Sequence, residues 1–108
     1  MRRFLVQTRF TAEGIKDIRQ NGGSHQTKTL AKLVEAGGGK VECHYYTLGG
    51  AYHSMSLLEF PTADAAWASY LIGQAMPLWT SDVTELIEGG EIDKAARQAR
   101  EMATRMGA

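Results

Sequence analysis

The sequence predicts an α+β domain with a ferredoxin-like βαββαβ arrangement and an extra C-terminal helix. Alternating apolar residues mark the strands, apolar residues three and four positions apart mark the helices, and glycines or prolines separate these segments. The chain has 108 residues, of which 44% are hydrophobic, which is enough for one core and too little for two. A single domain over 1–108 is therefore expected.

The first half of the chain is predicted to form one strand and two helical segments. Phe4 to Phe10 alternates between two faces, of which the one with more apolar residues should meet the core. Thr11 is a suitable N-cap for a short helix, which the glycines at 22–23 interrupt. Ser24 offers a second cap, for a helix that the glycines at 37–39 end.

The second half begins with a predicted hairpin. Lys40 to Leu48 and Ala51 to Phe60 are rich in aromatic and apolar residues, and the Gly49-Gly50 pair between them is typical of a tight turn. Pro61 ends the second of these strands, because proline cannot continue the pairing of a sheet.

A helix, a strand and a last helix complete the predicted fold. The helix has Thr62 as its cap and closes before Pro77, and its Trp67 and Tyr70 recur at helical spacing, as expected of core residues. Trp79 to Ile87 is predicted as the fourth strand. Residues 91–108 contain the last helix, from Glu91 to about Arg105, with one apolar stripe that includes Ile92, Ala99 and Met106.

Composition argues against several kinds of partner. Twelve Lys and Arg balance twelve Asp and Glu, so the basic excess of nucleic-acid-binding proteins is missing. No apolar run approaches the roughly 20 residues that span a bilayer, and MRRFLVQTRF lacks a signal-peptide core. The single cysteine, Cys43, cannot form an internal disulfide. We expect a cytoplasmic protein without nucleic-acid or membrane partners.

The Gly49-Gly50 turn also predicts the register of the hairpin. With these glycines as its loop, Tyr46 would lie opposite His53, and His44 opposite Met55. One face of the sheet would then hold Glu42, His44, Tyr46, His53, Met55 and Leu57. The other face, beneath the helices, would hold Cys43, Tyr45, Ser54 and Ser56, so that Cys43 is expected to be an inert core thiol.

Helices on one side of the sheet would leave its other face bare. Leu5, Leu48, Met55 and Leu57 would join there into an exposed apolar surface, and monomeric proteins seldom expose such a patch. A second copy of the same sheet is the simplest cover. The sequence therefore predicts a homodimer whose two sheets enclose a cavity.

Short motifs along the chain resemble a known family. TRFTAEG at 8–14, GGKV at 38–41, YYTLGGAYH at 45–53 and LLEFPTADAA at 57–66 are similar to the GYD-domain family of the dimeric α/β-barrel superfamily. The resemblance covers most of residues 4–88 and implies a dimeric ferredoxin-like barrel. It implies no particular activity, since related barrels include cofactor-free monooxygenases, isomerases, haem-handling enzymes and binding proteins. This chain has His53 where the family's tripeptide has Asp.

Titratable and aromatic side chains on the face predicted to be bare indicate a site for a small organic molecule. His53 and His44 are the candidate catalytic groups, because imidazoles transfer protons near neutral pH. The candidate binding residues, expected to orient the ligand or border the cavity, are Tyr46, Arg9, Gln7, Glu42, Met55 and Trp79. Proton transfer, isomerisation or cofactor-free oxygenation would suit this site, and no cofactor is assigned.

Two other functions stay open. The histidines could satisfy hydrogen bonds within a dimer interface, and the domain would then be a non-catalytic assembly module whose last helix docks on a partner. Alternatively, His44, His53 and Glu42 supply ligand types that suit zinc or iron. The chain has no tight ligand motif such as HExxH, so neither a metal nor haem is assigned.

Overall fold

The computed structural model describes residues 1–107 and contains, within them, four strands and four helices. In chain order the elements are β1 (Arg2–Phe10), α1 (Ala12–Asn21), α2 (Gly23–Ala36), β2 (Lys40–Tyr46), β3 (Ser54–Phe60), α3 (Ala63–Ala75), β4 (Trp79–Leu86) and α4 (Gly89–Arg105). The predicted ferredoxin-like α+β class is confirmed.

The strands form one antiparallel sheet in the order β2-β3-β1-β4. Alternate residues of β3 are buried, which is the pattern of a sheet that is covered on one face only. Helices α1, α2 and α3 pack on that covered face. The core between the helices and the sheet consists of Phe4, Val6, Val34, Leu58 and Phe60. We call the opposite side of the sheet the uncovered face.

Threonine caps fix the starts of two helices. The hydroxyl of Thr11 accepts a hydrogen bond from the amide of Gly14, and that of Thr62 accepts one from Ala65. Both caps confirm the sequence prediction and supply partners for amides that a helix start leaves free. Ser24 is not a cap, because α2 begins one residue earlier with Gly22 at its cap position.

The hairpin register differs from the predicted one. Tyr46 lies opposite Ser54 and His44 opposite Ser56, so each pairing is shifted by one residue, and the loop runs over 47–53. The cause is a β-bulge: Val41 pairs with Leu58 and Cys43 with Leu57, so that the residue between Val41 and Cys43 has no partner of its own. A shift of one residue exchanges the two faces of a strand.

Because of the bulge, the side chains of β2 from Cys43 onward lie on the opposite faces to those predicted. His44 and Tyr46 lie on the covered side of the sheet, where Thr27 and Gln26 of α2 contact them. Cys43 shares the uncovered face with Leu57, and is half-buried there instead of lying in the core.

The prediction that Trp67 of α3 is a core residue is wrong. Trp67 is 63% exposed, and it is therefore not the core residue that its helical spacing indicated. The neighbouring Leu71 and Ile72 are also exposed. The side of α3 that meets the sheet carries small residues instead, with Ser69 and Gly73 buried.

Helix α4 projects from the rest of the domain. None of its described residues is buried, and the molecule is 61 Å long but only 30 × 22 Å in cross-section. No helix formed by residues 1–107 is long and apolar enough to cross a lipid bilayer.

Candidate functional site

A cavity of about 70 Å³ lies between the covered face of the sheet and helices α2 and α3. This volume would hold a few water molecules and is about half of the roughly 150 Å³ that accommodates benzene. Aromatic and aliphatic core side chains form most of its wall, and the polar groups that line it are Thr8, Gln26, His44, Ser54, Ser56, Ser69, Gln74 and Ser81. Among residues 1–107, no Lys, Arg, Asp or Glu lines this cavity.

Helix α2 fixes the orientation of His44. Nδ1 of His44 lies 2.9 Å from Oγ1 of Thr27, and the Thr27 hydroxyl donates to the carbonyl of Gly23 at 3.1 Å. Since a hydroxyl has a single hydrogen, the Thr27 oxygen accepts from Nδ1 of His44. The neutral imidazole then has its lone pair on Nε2. Within residues 1–107, no hydrogen bond occupies this atom.

Tyr46 supports the same region from beside His44. Its ring centroid is 4.9 Å from that of His44, and its hydroxyl contacts Oε1 of the buried Gln26 and the carbonyl of Gly23. Burial raises the pKa of the Tyr46 phenol. Tyr46 itself does not line the cavity. Its hydroxyl positions Gln26, which does line it.

Burial lowers the pKa of His44 below its ordinary value of 6.5. The unfolded chain therefore takes up a proton at a higher pH than the folded protein does. The stability gained from a neutral His44 is fully present above about pH 6.5 and is lost as the pH falls toward the lower pKa of the folded state.

We expect the free energy of unfolding to decrease as the pH falls below about 6.5, and His44→Asn to reduce this slope. Asparagine retains a polar group near Nδ1 but does not ionise. Urea unfolding at a series of pH values measures the slope, and His25→Asn, which removes an exposed imidazole from α2, is the control. If His44→Asn had the same slope as the parent chain, His44 would not be the group responsible for the loss of stability at low pH.

His53 has a different structural role from His44. Its Nδ1 accepts a hydrogen bond of 2.8 Å from the amide of Phe10, and its ring stacks on that of Phe10 at a centroid distance of 5.6 Å. The imidazole thus satisfies the last amide of β1 and carries its proton on Nε2. His53 is exposed and does not line the cavity.

The other predicted site residues do not converge on His44. Gln7 pairs with Met55 and with Asp82, which places it on the uncovered face. Glu42 forms an ion pair of 3.0 Å with Arg3, which is also on the uncovered face because it pairs with Glu59. Trp79 is buried in the wall of the covered cavity. The single cluster predicted between two sheets is therefore divided by the sheet itself.

Arg9, Tyr52 and Asp82 form a polar cluster at one end of the sheet. The Tyr52 hydroxyl donates to Oδ2 of Asp82 at 2.6 Å, and the guanidinium of Arg9 lies 4.3 Å from the centre of the Tyr52 ring. The hydrogen bond to Asp82 raises the pKa of the Tyr52 phenol. Arg9 also approaches Asp82 at 3.8 Å. Arg9 alternates along β1 with the buried Thr8 and Phe10, so it lies on the uncovered face and not in the cavity.

A groove of about 450 Å³ between α3 and β4 adjoins the cavity. Five residues line both spaces: Phe4, Ala66, Tyr70, Ser81 and Val83. The exposed Trp67 stands on the outer wall of this groove. The groove therefore opens the cavity to solvent at the β4 edge of the sheet, whereas His44 lies on β2 at the other edge.

Comparison with known families adds one finding. The model of the GYD domain matches residues 4–96. The chain belongs to the GYD domain family. That family is part of the dimeric α/β-barrel proteins, in agreement with the architecture of the sheet. Among curated proteins, none matches this chain.

The GYD domain described here does not assemble the metal site considered from its sequence. Glu42 lies on the uncovered face, whereas His44 lies beneath the helices and His53 is bonded to the backbone of β1. Among residues 1–107, no group of three His, Cys, Asp or Glu side chains is arranged to hold a metal ion.

Sequence reasoning missed several groups that line the cavity of this GYD domain. Gln26 is on the wall, and Thr27 orients His44. A usable signal was present in β3, where Ser54 and Ser56 alternate with Met55 and Leu57. Small hydroxyl residues on the side of a strand that faces helices leave room beneath them, and they mark a polar pocket rather than a tightly packed core.

Proposed function

We propose that this GYD domain binds a small, uncharged organic molecule beneath its helices and accepts a proton from it through Nε2 of His44. The observation that carries the proposal is the geometry of His44. Its Nδ1 is fixed by Thr27, its Nε2 is unoccupied within the described chain, and its side chain lines the cavity. A neutral imidazole held in this way is suited to act as a general base.

The charges around the two spaces define the class of ligand. No cationic side chain from residues 1–107 lines either the cavity or the groove, so a carboxylate or phosphate would find no partner there. These features favour a neutral molecule with a hydroxyl or carbonyl group.

The volumes define how the ligand would lie. The cavity of about 70 Å³ is too small for an aromatic ring, whereas the groove of about 450 Å³ is within the range of ligand pockets. The body of the molecule would occupy the groove against Trp67 and Tyr70, and an extended polar arm would cross the cavity to reach His44 at the β2 edge of the sheet.

Phenol and cyclohexanol, with benzoate as a charged comparison, are probes for this proposal. We expect the neutral probes to shift backbone amide signals of Thr8, Ser56 and Ser81 in NMR spectra, and benzoate to leave them in place. His44→Asn should weaken phenol binding about tenfold, because one ligand hydrogen bond is lost. His44→Gln places an amide near the position of Nε2 and should restore part of the affinity.

The controls separate this site from weak surface binding. His53→Asn removes an imidazole that does not line the cavity, and it should leave phenol affinity unchanged. Equal binding of phenol to the parent chain and to His44→Asn, or shifts confined to the uncovered face, would contradict the proposal.

We also propose that the domain forms a homodimer through its uncovered face. The side chains of Leu5, Met55 and Leu57 are adjacent there by strand register, and Tyr45 beside them is 62% exposed. An apolar group of this kind is typical of an interface. Membership of a family of dimeric barrels supports the same arrangement.

A further inference from the structure

The outer side of α3 is an apolar surface that the described chain leaves exposed. Trp67, Leu71 and Ile72 are exposed by 63%, 62% and 54%, and the only charged residue of the helix is Asp64. A helix that is apolar on all sides is normally buried on all sides. The outer side of α3 therefore requires a cover that residues 1–107 of one chain do not provide.

Helix α4 presents a second apolar surface, of comparable length. Ile92, Ala99, Met102 and Met106 recur at helical spacing along one side of the helix, and none of them is buried. The 17 residues of α4 extend about 25 Å, and the 13 residues of α3 extend about 20 Å. The two helices thus have comparable lengths for packing along one another.

The direction of α4 decides which copy of α3 it meets. The nine residues of β1 span about 30 Å and the 17 residues of α4 about 25 Å. Their sum is close to the 61 Å length of the molecule, so α4 continues outward from the end of the sheet. Only residues 87–88 connect β4 to α4. The helix would have to reverse its direction there to reach its own α3.

The charges of the two surfaces are complementary. The charged side chains on α3 and on the groove wall that face the helices are both acidic, namely Asp64 and Glu85, whereas the side chain of Asp82 lies on the uncovered face. Arg2 pairs with Glu85, whereas Asp64 has no ion pair within residues 1–107. Helix α4 carries Lys94, Arg97, Arg100 and Arg105 against Glu91, Asp93 and Glu101, and is therefore net basic.

We propose that α4 of a second copy packs along the outer side of α3 and closes the groove between α3 and β4. Trp67 stands at this boundary, so the partner helix would form one wall of the opening that leads into the cavity at the β4 edge of the sheet. The role of this wall in ligand entry rests on the proposed function, whereas the packing of α4 on α3 does not.

Crosslinking of full-length chains tests the proposal. In a Cys43→Ser background, one chain carries Leu71→Cys on α3 and another carries Ala99→Cys on α4. Both positions lie near the middle of their helices, so the pair reports on parallel and antiparallel packing alike. A short bis-maleimide added to the mixture should join the two different chains, as mass spectrometry would show.

The matched control is Glu101→Cys, which lies on the side of α4 opposite the apolar stripe. We expect it to give much less two-chain product with Leu71→Cys than Ala99→Cys does. Equal yields from the two α4 positions, or no two-chain product, would overturn the proposal. So would a crosslink that forms only within a chain carrying both cysteines, because α4 would then fold back on its own α3.

The pair Ile72→Cys and Met102→Cys repeats the test with independent substitutions, in case one variant fails to fold. No ligand is needed for either experiment. Failure of the crosslink together with normal phenol binding would therefore reject the α4 arrangement alone, and the reverse result would reject the ligand site alone.

Discussion

Leu57→Arg should break the pairing of two chains through the uncovered face at micromolar concentration and lower the mass of the assembly. Leu57 lies between Leu5 of β1 and Cys43 of β2, near the middle of the uncovered face. In a twofold dimer the substitution would bury two unpaired guanidinium groups, each costing several kcal/mol. Dimer affinity should fall about a thousandfold or more. Sedimentation velocity or light scattering measures the change in mass.

Ile15→Arg is the matched control for this experiment. Ile15 is also an exposed apolar residue, but it lies on α1, away from the uncovered face. The mass of that variant should equal the mass of the parent chain. A parent chain that already has the mass of one copy would reject pairing through the sheet. So would a Leu57→Arg variant that keeps the parental mass when Leu71→Arg also removes the proposed contact of α4 with α3.

Gly14→Ala should lower the free energy of unfolding by about 3 kcal/mol, at the upper end of the usual cost of overpacking. A Cβ at this position would overlap the backbone carbonyl of Leu78 and lie 3.2 Å from Cβ of Phe10. The same carbonyl accepts a hydrogen bond of 3.1 Å from the amide of Thr11. The start of α1 cannot move away from Leu78 without losing that bond. Thermal unfolding should show a Tm lower by roughly 15 °C.

Gly90→Ala provides the comparison for Gly14→Ala. A Cβ at Gly90 would meet no atom within 4 Å, and alanine is favoured over glycine inside a helix by up to about 1 kcal/mol. The Tm of that variant should therefore not decrease. If both alanine variants kept the parental Tm, the close approach of α1 to Leu78 would be wrong.

The order of the elements followed from local physical rules. Threonine side chains at Thr11 and Thr62 cap helices because they satisfy nearby amides, and glycines end α2 because the chain must turn there. These interactions involve residues that are close in the sequence. A single sequence therefore contains the information that they need.

The faces of β2 depended on information that the sequence did not display. Val41 and His44 are three residues apart, so in a regular strand their side chains would point to opposite faces of the sheet. In the structure both lie on the covered side. Glu42, the residue in the bulge between Val41 and Cys43, contacts Arg3 of β1, which is distant in the sequence. Counting residues along β2 cannot detect a contact with β1.

Trp67 shows a second limit of helical periodicity. The spacing of Trp67 and Tyr70 correctly predicts a helix, but it does not reveal how far the helix is rotated about its own axis. The structure turns Ser69 and Gly73 toward the sheet, which keeps open the space beside His44. Small residues, rather than the large apolar ones, decided which side of α3 faces inward.

Glu42 is a one-residue insertion in β2 that the sheet accommodates as a β-bulge. Val41 and Cys43 occupy consecutive ladder positions opposite Leu58 and Leu57, so a strand lacking Glu42 would present the same side chains on the same sides. Related chains of different length can thus carry an equivalent imidazole beneath their helices. In an alignment, the corresponding gap belongs inside this strand and not in the loop at 47–53.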